Sequence, residues 1–268
     1  MKKDIHILIP TFKRLKALAV TLTSLCYQSE QGFDIVISDQ SPENELSTDA
    51  SIATLLRLLE LQGHEVKVMK NLPLRGMAQQ RHFLLQQVHH PYCLFLDDDL
   101  ILEPYVIRNM KRILQSQSIG FAGMAVIGLS YLHDHRPQEE TVAFWKGEAE
   151  PEEILPDTEK WERYKLHNAA NVFHLQQRLK LSPDAPVAYK IAWVGGCVLY
   201  DTAKLRQAGG FDFYRELPPA HCGEDVMAQI SVMKKYGGCG VLPSGVYHQE
   251  LKTTLPDRSF NIPEHLPV

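Results

Sequence analysis

"YCLFLDDDLILEP", residues 92–104, sets a run of apolar strand-formers against three consecutive carboxylates, then returns to apolar residues and a proline. Like charges this close repel by roughly 1 kcal/mol per pair in water, and several times more near a protein surface. A soluble turn needs one aspartate or two. Three in a row, Asp97, Asp98 and Asp99, suggest that a positive partner is missing from the sequence itself. Side chains alternate faces along a strand, so Asp97 and Asp99 are expected to point one way and Asp98 the other. The resulting D-x-D pair of hard oxygen ligands suits Mg2+ or Mn2+, ions that also take oxygens from a substrate phosphate.

Upstream, the pattern alternates strand and helix. "IHILIP" (5–10) is an apolar run stopped by proline, and Leu15, Leu18, Leu22, Leu25 and Cys26 then recur at helical spacing. "FDIVISD" (33–39) is a second strand, followed by one helix over 46–62 that ends at Gly63. Residues 65–71 make a third strand, 76–88 a helix and 92–97 a fourth strand, and Pro104 opens the helix that follows. Continuous apolar strands separated by amphipathic helices imply an α/β protein with a mainly parallel sheet covered on both faces. Ligands of such sheets bind beyond the carboxyl ends of the strands. Polar groups gather there three times, at Thr11 and Arg14, at Asp39 and Ser41, and at Asp97–Asp99.

Residues 130–185 break the rhythm with an acidic, proline-punctuated stretch, read as a variable insertion or lid; its "HDH" (133–135) is more simply a solvated loop than a metal site. Regular patterning resumes with one strand over 189–201, a helix over 202–210, another opening at "GEDVMAQISV", and a short strand near 239–244. The expected organisation is a single continuous domain with a nucleotide-binding half (1–129), the variable segment (130–188) and a catalytic, acceptor-side half (189–268).

Composition narrows the function. Of 268 residues, 44% are hydrophobic and 22% charged, as in soluble enzymes, and a net charge of −4 without a basic block excludes tight nucleic-acid binding. The cysteines, at 26, 93, 197, 222 and 239, are scattered without C-x-x-C spacing, against a structural zinc site or a disulfide framework. The amino terminus lacks a signal-peptide pattern, and no stretch approaches the ~20 apolar residues of a membrane span. A cytoplasmic protein is expected, with room for a peripheral position at the inner face of a membrane.

Two further features carry chemistry. Glu224–Asp225 opens an amphipathic helix after a glycine. Acids there complement the helix dipole, and equally supply a general base. His248, past the final strand, is a candidate to complete a metal's coordination shell as a neutral imidazole.

In order and spacing, "IHILIPTFKR", "DIVISDQS", "RGMAQQRHFLL", "LFLDDDLILEP", "WVGGCVLYDTAKLRQAGGFD", "GEDVMAQISVMKKYG" and "VYH" resemble family 2 glycosyltransferases across nearly the whole chain outside 130–185. The resemblance implies a GT-A fold, with a Rossmann-like central sheet and a variable acceptor-side region. It also implies inverting transfer of one sugar from a nucleotide-diphosphate sugar, UDP favoured, to a glycan, lipid-linked or small-molecule acceptor. Pro10, Thr11, Arg14, Asp39, Gly76 and Arg81 match nucleotide-pocket positions, Asp39 being the usual contact to the base. Asp97 and Asp99 match the D-x-D, the first near the ribose and the second on Mn2+ or Mg2+, with His248 the late histidine. Gly195 and Gly196 match the loop beside the donor sugar, where Trp193 offers either a sugar platform or core packing. Asp225, with Glu224 beside it, matches the catalytic base.

Several positions depart from the family pattern: Lys13 and His82 stand where asparagine is common, Ser38 replaces the first of two aspartates, and Gln229 replaces a frequent arginine. The Q-x-x-R-W signature of processive relatives is absent, which favours single transfer over polymerisation. Competing readings are a sugar nucleotidyltransferase, disfavoured because "PTFKRLK" contains no glycine for a phosphate loop, and a catalytically silent sugar-nucleotide-binding protein. Trp145 and Trp161 are weaker candidates for an acceptor site.

Overall fold

The run from Ile5 to Thr11 forms strand β1, and all seven of its residues are buried. A strand covered on both faces needs apolar groups at nearly every position, hence an unbroken rather than alternating pattern. The computed structural model describes residues 2–43, 45–255 and 257–266. After β1 come α1 (Leu15–Cys26), β2 (Phe33–Asp39), α2 (Glu45–Thr48), α3 (Ala50–Leu61), β3 (Val66–Lys70), α4 (Met77–Gln86), β4 (Tyr92–Leu96), β5 (Leu100–Leu102) and α5 (Val106–Gln117). The chain continues through β6 (Phe121–Gly123), β7 (Val126–Ile127), α6 (Asn171–Arg178), β8 (Val187–Tyr189), β9 (Cys197–Asp201), α7 (Thr202–Gln207), α8 (Glu224–Tyr236), β10 (Gly238–Leu242), β11 (Val246–His248) and α9 (Ile262–His265).

The main sheet has the order β3-β2-β1-β4-β9-β6-β10-β8. Pairing is parallel from β3 through β4 and between β6 and β10; β9 runs antiparallel to β4 and β6, and β8 antiparallel to β10. Alternation along the strands divides the core in two. Ile5, Ile7 and Ile9 join Phe33, Ile35 and Ile37 in a cluster with α1, α3 and α5. Leu8 and Val36 enter the other cluster, with Leu84 and Leu85 of α4 and Met227 and Ile230 of α8.

Three local expectations need correction, and the segment read as an insertion carries regular structure of its own. The helix over 46–62 breaks at Asp49, whose carboxylate accepts the Ile52 N–H at 2.9 Å and caps α3; an N-cap residue has non-helical dihedrals, so α2 stops there. The stretch 189–201 is two strands, because residues 190–196 leave the sheet and Gly196 takes φ +76°, which a strand of L-residues does not tolerate. Pro104 lies before α5 rather than in its first turn, since residues 103–106 form a tight turn closed by Val106 N–H on Glu103 O at 3.1 Å. Within 130–185, α6 is regular, and Ile154, Leu166, Val172 and Leu175 of this segment are buried in the second core cluster.

A small second sheet, β5-β11-β7, positions the polar residues that follow β4. Its register sets His248 opposite Leu100, and the Gln249 N–H donates to Asp99 O at 2.9 Å. From α1, the buried Thr21 hydroxyl lies 2.9 Å from Asp98 O and 2.8 Å from Leu100 O, and accepts the Leu100 N–H at 3.1 Å. The acidic turn is thus clamped from both sides, by a backbone bond from Gln249 and by the Thr21 side chain. Thr21→Val keeps the shape but orphans a buried N–H, so stability should fall by about 1–3 kcal/mol in a denaturant titration. An unchanged midpoint would show that the hydroxyl does not hold the turn.

Candidate active site

Beyond the carboxyl ends of β1 and β4 lies a cleft of about 570 Å³, within the size range of sites for drug-sized ligands. Pro10, Thr11 and Arg14 line one side, Gly76 and Arg81 of the α4 region another, and Asp97–Asp99, Glu224, Asp225 and His248 the floor and far wall. Each of those sequence-derived candidates therefore meets the others in one cavity.

The acidic triple is not the continuation of a strand. β4 ends at Leu96 and the acids form a turn before β5, so the pleat no longer separates Asp98 from its neighbours and all three line the cleft. Protein cations meet them directly. Arg14 Nη1 lies 2.5 Å from Asp99 Oδ2 and 3.4 Å from Asp98 Oδ1, while the Thr11 hydroxyl donates to Asp98 Oδ2 at 2.6 Å. Arg81, only 5% exposed, donates from Nη2 to Asp97 Oδ1 and from Nε to Glu224 Oε1, each at 3.0 Å.

Electrostatics separate the acids. Burial, reinforced by Asp99 and Asp97 and opposed by Thr11 and Arg14, pushes Asp98 up to about 7. Burial likewise raises Asp97 despite Arg81. For Asp99, burial is outweighed by His248 and Arg14, which hold it below the usual carboxylate value. His248 is raised, chiefly by its contact with Asp99, Nε2 standing 3.4 Å from Oδ2. Asp225 is pushed up to about 7 by burial first and by the Glu224 charge second. Glu224 is tied to Arg81, whereas the hydrogen bond seen at the Asp225 carboxylate comes from the adjacent Val226 N–H at 2.9 Å.

Glycines bring the two acid groups together. A Cβ on Gly195 would lie 3.9 Å from Asp225 Oδ2, and one on Gly196 3.3 Å from Asp97 Oδ2, so this loop sits between them. Gln229, fully buried, holds that loop to α8: its Oε1 accepts the Val194 N–H at 2.9 Å and its Nε2 donates to Val194 O at 2.7 Å. At the head of α4, Gly76 has φ +91°, and a Cβ there would lie 2.2 Å from His221 Cε1. His221 Nε2 accepts the Ala78 N–H at 3.0 Å, satisfying a donor that the helix start leaves open.

Four candidates are not among the residues lining the cleft: Gly195 and Gly196, which lie behind the acids, and Asp39 and Trp193. Asp39 is buried, bonded to Lys70 Nζ at 2.6 Å and to the Ser41 N–H at 2.8 Å, and its neighbour Gln40 lines the cavity instead. Trp193 stacks on Tyr164 at 5.2 Å and leans on Trp161 at 4.3 Å. Trp145 packs against the first core cluster with Lys190 Nζ 4.0 Å from its ring centre. In "HDH", Asp134 pairs with Arg136 and the His135 ring lies tilted against His174 with centres 4.0 Å apart, so the three do not converge. Sequence reasoning missed His221, Gln229 as a loop clamp, and the segment after β11, from which Leu251, Thr253, Leu255 and Arg258 complete the cleft rim. "PPAHCGED" offered the one available signal, a histidine beside a helix start; the rim segment carries no periodicity to read.

Comparison with known proteins now places the chain. The family model described as glycosyl transferase family 2 matches residues 6–178 of its 268, and the chain belongs to that family. Among solved structures, S. aureus TarS 1–349 in complex with UDP-GlcNAc superposes with a TM-score of 0.58 at 17% identity, covering 100% of this chain and 62% of that one. The mannosyltransferase PcManGT from Pyrobaculum calidifontis, in complex with GDP-Man and Mn2+, gives 0.57 at 13% identity, covering 95% and 59%. GalNAc-T7 with UDP, GalNAc and Mn2+ gives 0.54 at 15%, covering 91% and 43%. The fold is GT-A, and the chain spans less than two thirds of the length of each of these structures. No curated protein matches the sequence.

Removing the shared cation tests how the site is held. Arg81→Met leaves Asp97 and Glu224 facing each other without a partner, and should cost about 3–5 kcal/mol of stability in a urea titration. Stability within 0.5 kcal/mol of wild type, roughly the range of a neutral surface change, would contradict this bridging role.

Proposed function

We propose that this chain is an inverting glycosyltransferase that moves one sugar from a nucleoside-diphosphate sugar, a UDP-sugar in first place, to an acceptor hydroxyl. The observation that carries this reading is the cleft in which Asp225 stands across the Gly195–Gly196 loop from the Asp97–Asp99 turn. Inverting transfer to a hydroxyl calls for a base on the acceptor side and for stabilisation of the departing diphosphate on the other, which an acidic turn would supply by holding a cation.

Bond breaking builds negative charge on the departing diphosphate. Arg14 lies at this end of the cleft. Asp99 offers a carboxylate of the kind a hard divalent cation takes, and the His248 imidazole, 3.4 Å away, is a nitrogen ligand that suits Mn2+ better than Mg2+. Asp97 is engaged by Arg81 instead and faces the ribose side in this reading. His248 Nδ1 accepts the Glu250 N–H at 2.9 Å, so Nε2 carries the ring proton at rest; holding a cation there requires the ring to leave that amide and Arg14 to leave Asp99. A bound Mn2+ or Mg2+ would supply Lewis-acid stabilisation of the diphosphate. Two of the similar structures were determined with Mn2+, and the TarS and GalNAc-T7 structures with uracil nucleotides, which favours that ion and that base here.

At the other face of the anomeric carbon, Asp225 takes the proton of the attacking hydroxyl. Glu224, tied to Arg81, positions the head of α8. One displacement inverts the anomeric centre. Residues 1–129 hold the nucleotide, 189–268 the base and the acceptor side, and 130–188 shape acceptor choice. No helix among the described residues is long and apolar enough to cross a membrane, and the five cysteines are free; both suit a cytoplasmic enzyme, and a lipid-linked acceptor would bring it to the inner face of a membrane.

Asp225→Asn should lower nucleotide release by about 10²–10⁴-fold while the donor binds as in wild type. Loss of donor affinity with unchanged turnover would refute Asp225 as the base. A base works only when deprotonated. With Asp225 raised to about 7, and Asp98 of the same cleft raised as far, kcat/KM should therefore fall as pH drops through 7, and in Asp98→Asn the fall that remains is that of Asp225. A rate flat from pH 5 to 8 would contradict that assignment.

A further inference from the structure

At the amino-terminal ends of β1 and β4, the opposite end of the strands from the cleft, three imidazoles converge. His6 is the second residue of β1, and His89 and His90 belong to the turn between α4 and β4. Five residues of strand, roughly 16 Å, separate His6 from Thr11 at the cleft. The ring centres lie 4.4 Å apart for His6–His89, 4.3 Å for His6–His90 and 4.6 Å for His89–His90. Each ring has a nitrogen within 4.8 Å of one on each of the others, and among the described residues this is the group of three or more His, Cys, Asp or Glu that comes together so.

We propose that His6, His89 and His90 bind a divalent transition-metal ion of the zinc class, with Asp34 orienting His90 behind the ligands. Two observations point to a ligand here rather than to ring packing alone. First, His6 is 3% exposed and its Nδ1 is buried without a hydrogen-bond partner. Such an orphaned group costs about 1–3 kcal/mol unless something satisfies it. Second, His90 Nε2 lies 2.9 Å from Asp34 Oδ2, the carboxylate–imidazole contact that typically fixes the ring of a metal-bound histidine and leaves the other nitrogen free. Asp34 is itself held by the Glu65 N–H at 2.7 Å and by Lys3 at 3.4 Å.

Burial, with the neighbouring His90 and His89, holds His6 down at about 4, so its ring is neutral and its lone pair available at physiological pH. Nitrogen ligands at about 2.0–2.1 Å from tetrahedral zinc stand about 3.4 Å apart, so the group closes on the ion by a modest rotation of the exposed His89. Three imidazoles leave a fourth position for water. An all-nitrogen set suits zinc, copper or nickel rather than Mg2+, which distinguishes this site from the carboxylate-rich cleft.

Titration of the full chain with Co2+, followed in the visible absorption of tetrahedral cobalt, and with Zn2+ in competition, tests the site. We expect one tetrahedral equivalent in wild type and in an Asp99→Ala/His248→Ala variant that lacks the cleft donors. His89→Ala and His90→Ala should each abolish it, and Asp34→Asn should weaken Zn2+ about 10–100-fold. Because His89 is exposed, its variant is expected to keep the wild-type circular dichroism and melting point without metal. Absence of the cobalt spectrum in wild type, its survival in His89→Ala or His90→Ala, or its loss only in the cleft variant would each overturn the site.

Discussion

One buried guanidinium joins the two halves of the molecule. Arg81 leaves α4, crosses the cleft floor above the Phe95 ring, and divides its donors between Asp97 after β4 and Glu224 at the head of α8. Burying a charge is costly unless it is paired and hydrogen-bonded, so the pairing dictates where those two elements meet. Move either acid, and Arg81, set against the Phe95 ring, loses one of its two hydrogen-bonded carboxylates. The Gly195–Gly196 loop passes between the acids through Gly196, whose φ of +76° disfavours a side chain and where a Cβ would crowd Asp97 Oδ2 at 3.3 Å.

Charge is distributed unevenly around that bridge, and the unevenness is what makes a reactive site. Five carboxylates line the cleft, at Asp97, Asp98, Asp99, Glu224 and Asp225. Arg81 satisfies two, and Arg14 with Thr11 engages Asp98 and Asp99. Asp225 is left with its own helix backbone, and burial beside Glu224 raises its proton affinity. Arg14 in turn stands where a cation and a diphosphate would compete for the same acids. The positive charge wanting from the sequence around the acidic triple is thus partly supplied by residues 14 and 81, distant in the chain and close in the fold.

Much of this architecture was legible because buried parallel strands leave continuous apolar runs, and β1, β2 and β4 carry them plainly. The acids and glycines were legible through order along the chain. What failed did so for local reasons. Asp49 reads as a mid-helix residue until its side chain is seen capping α3. Alternation assigned Asp98 to the wrong face because the strand ends one residue before the acids begin. Side chains that act through non-local contacts, such as Gln229 on Val194 or His221 on Ala78, leave no periodic trace. Residues 130–185 hide their core positions because apolar groups such as Ile154 and Leu166 are spaced by turns rather than by a repeat.

The most direct test of the cleft as a metal-assisted nucleotide site is calorimetric titration of UDP into wild type and Asp99→Ala, each with and without Mn2+. Binding that requires Mn2+ in wild type and is lost in the variant is the expected result. No binding of UDP, GDP or TDP under either condition, or equal affinity in both proteins, would contradict it.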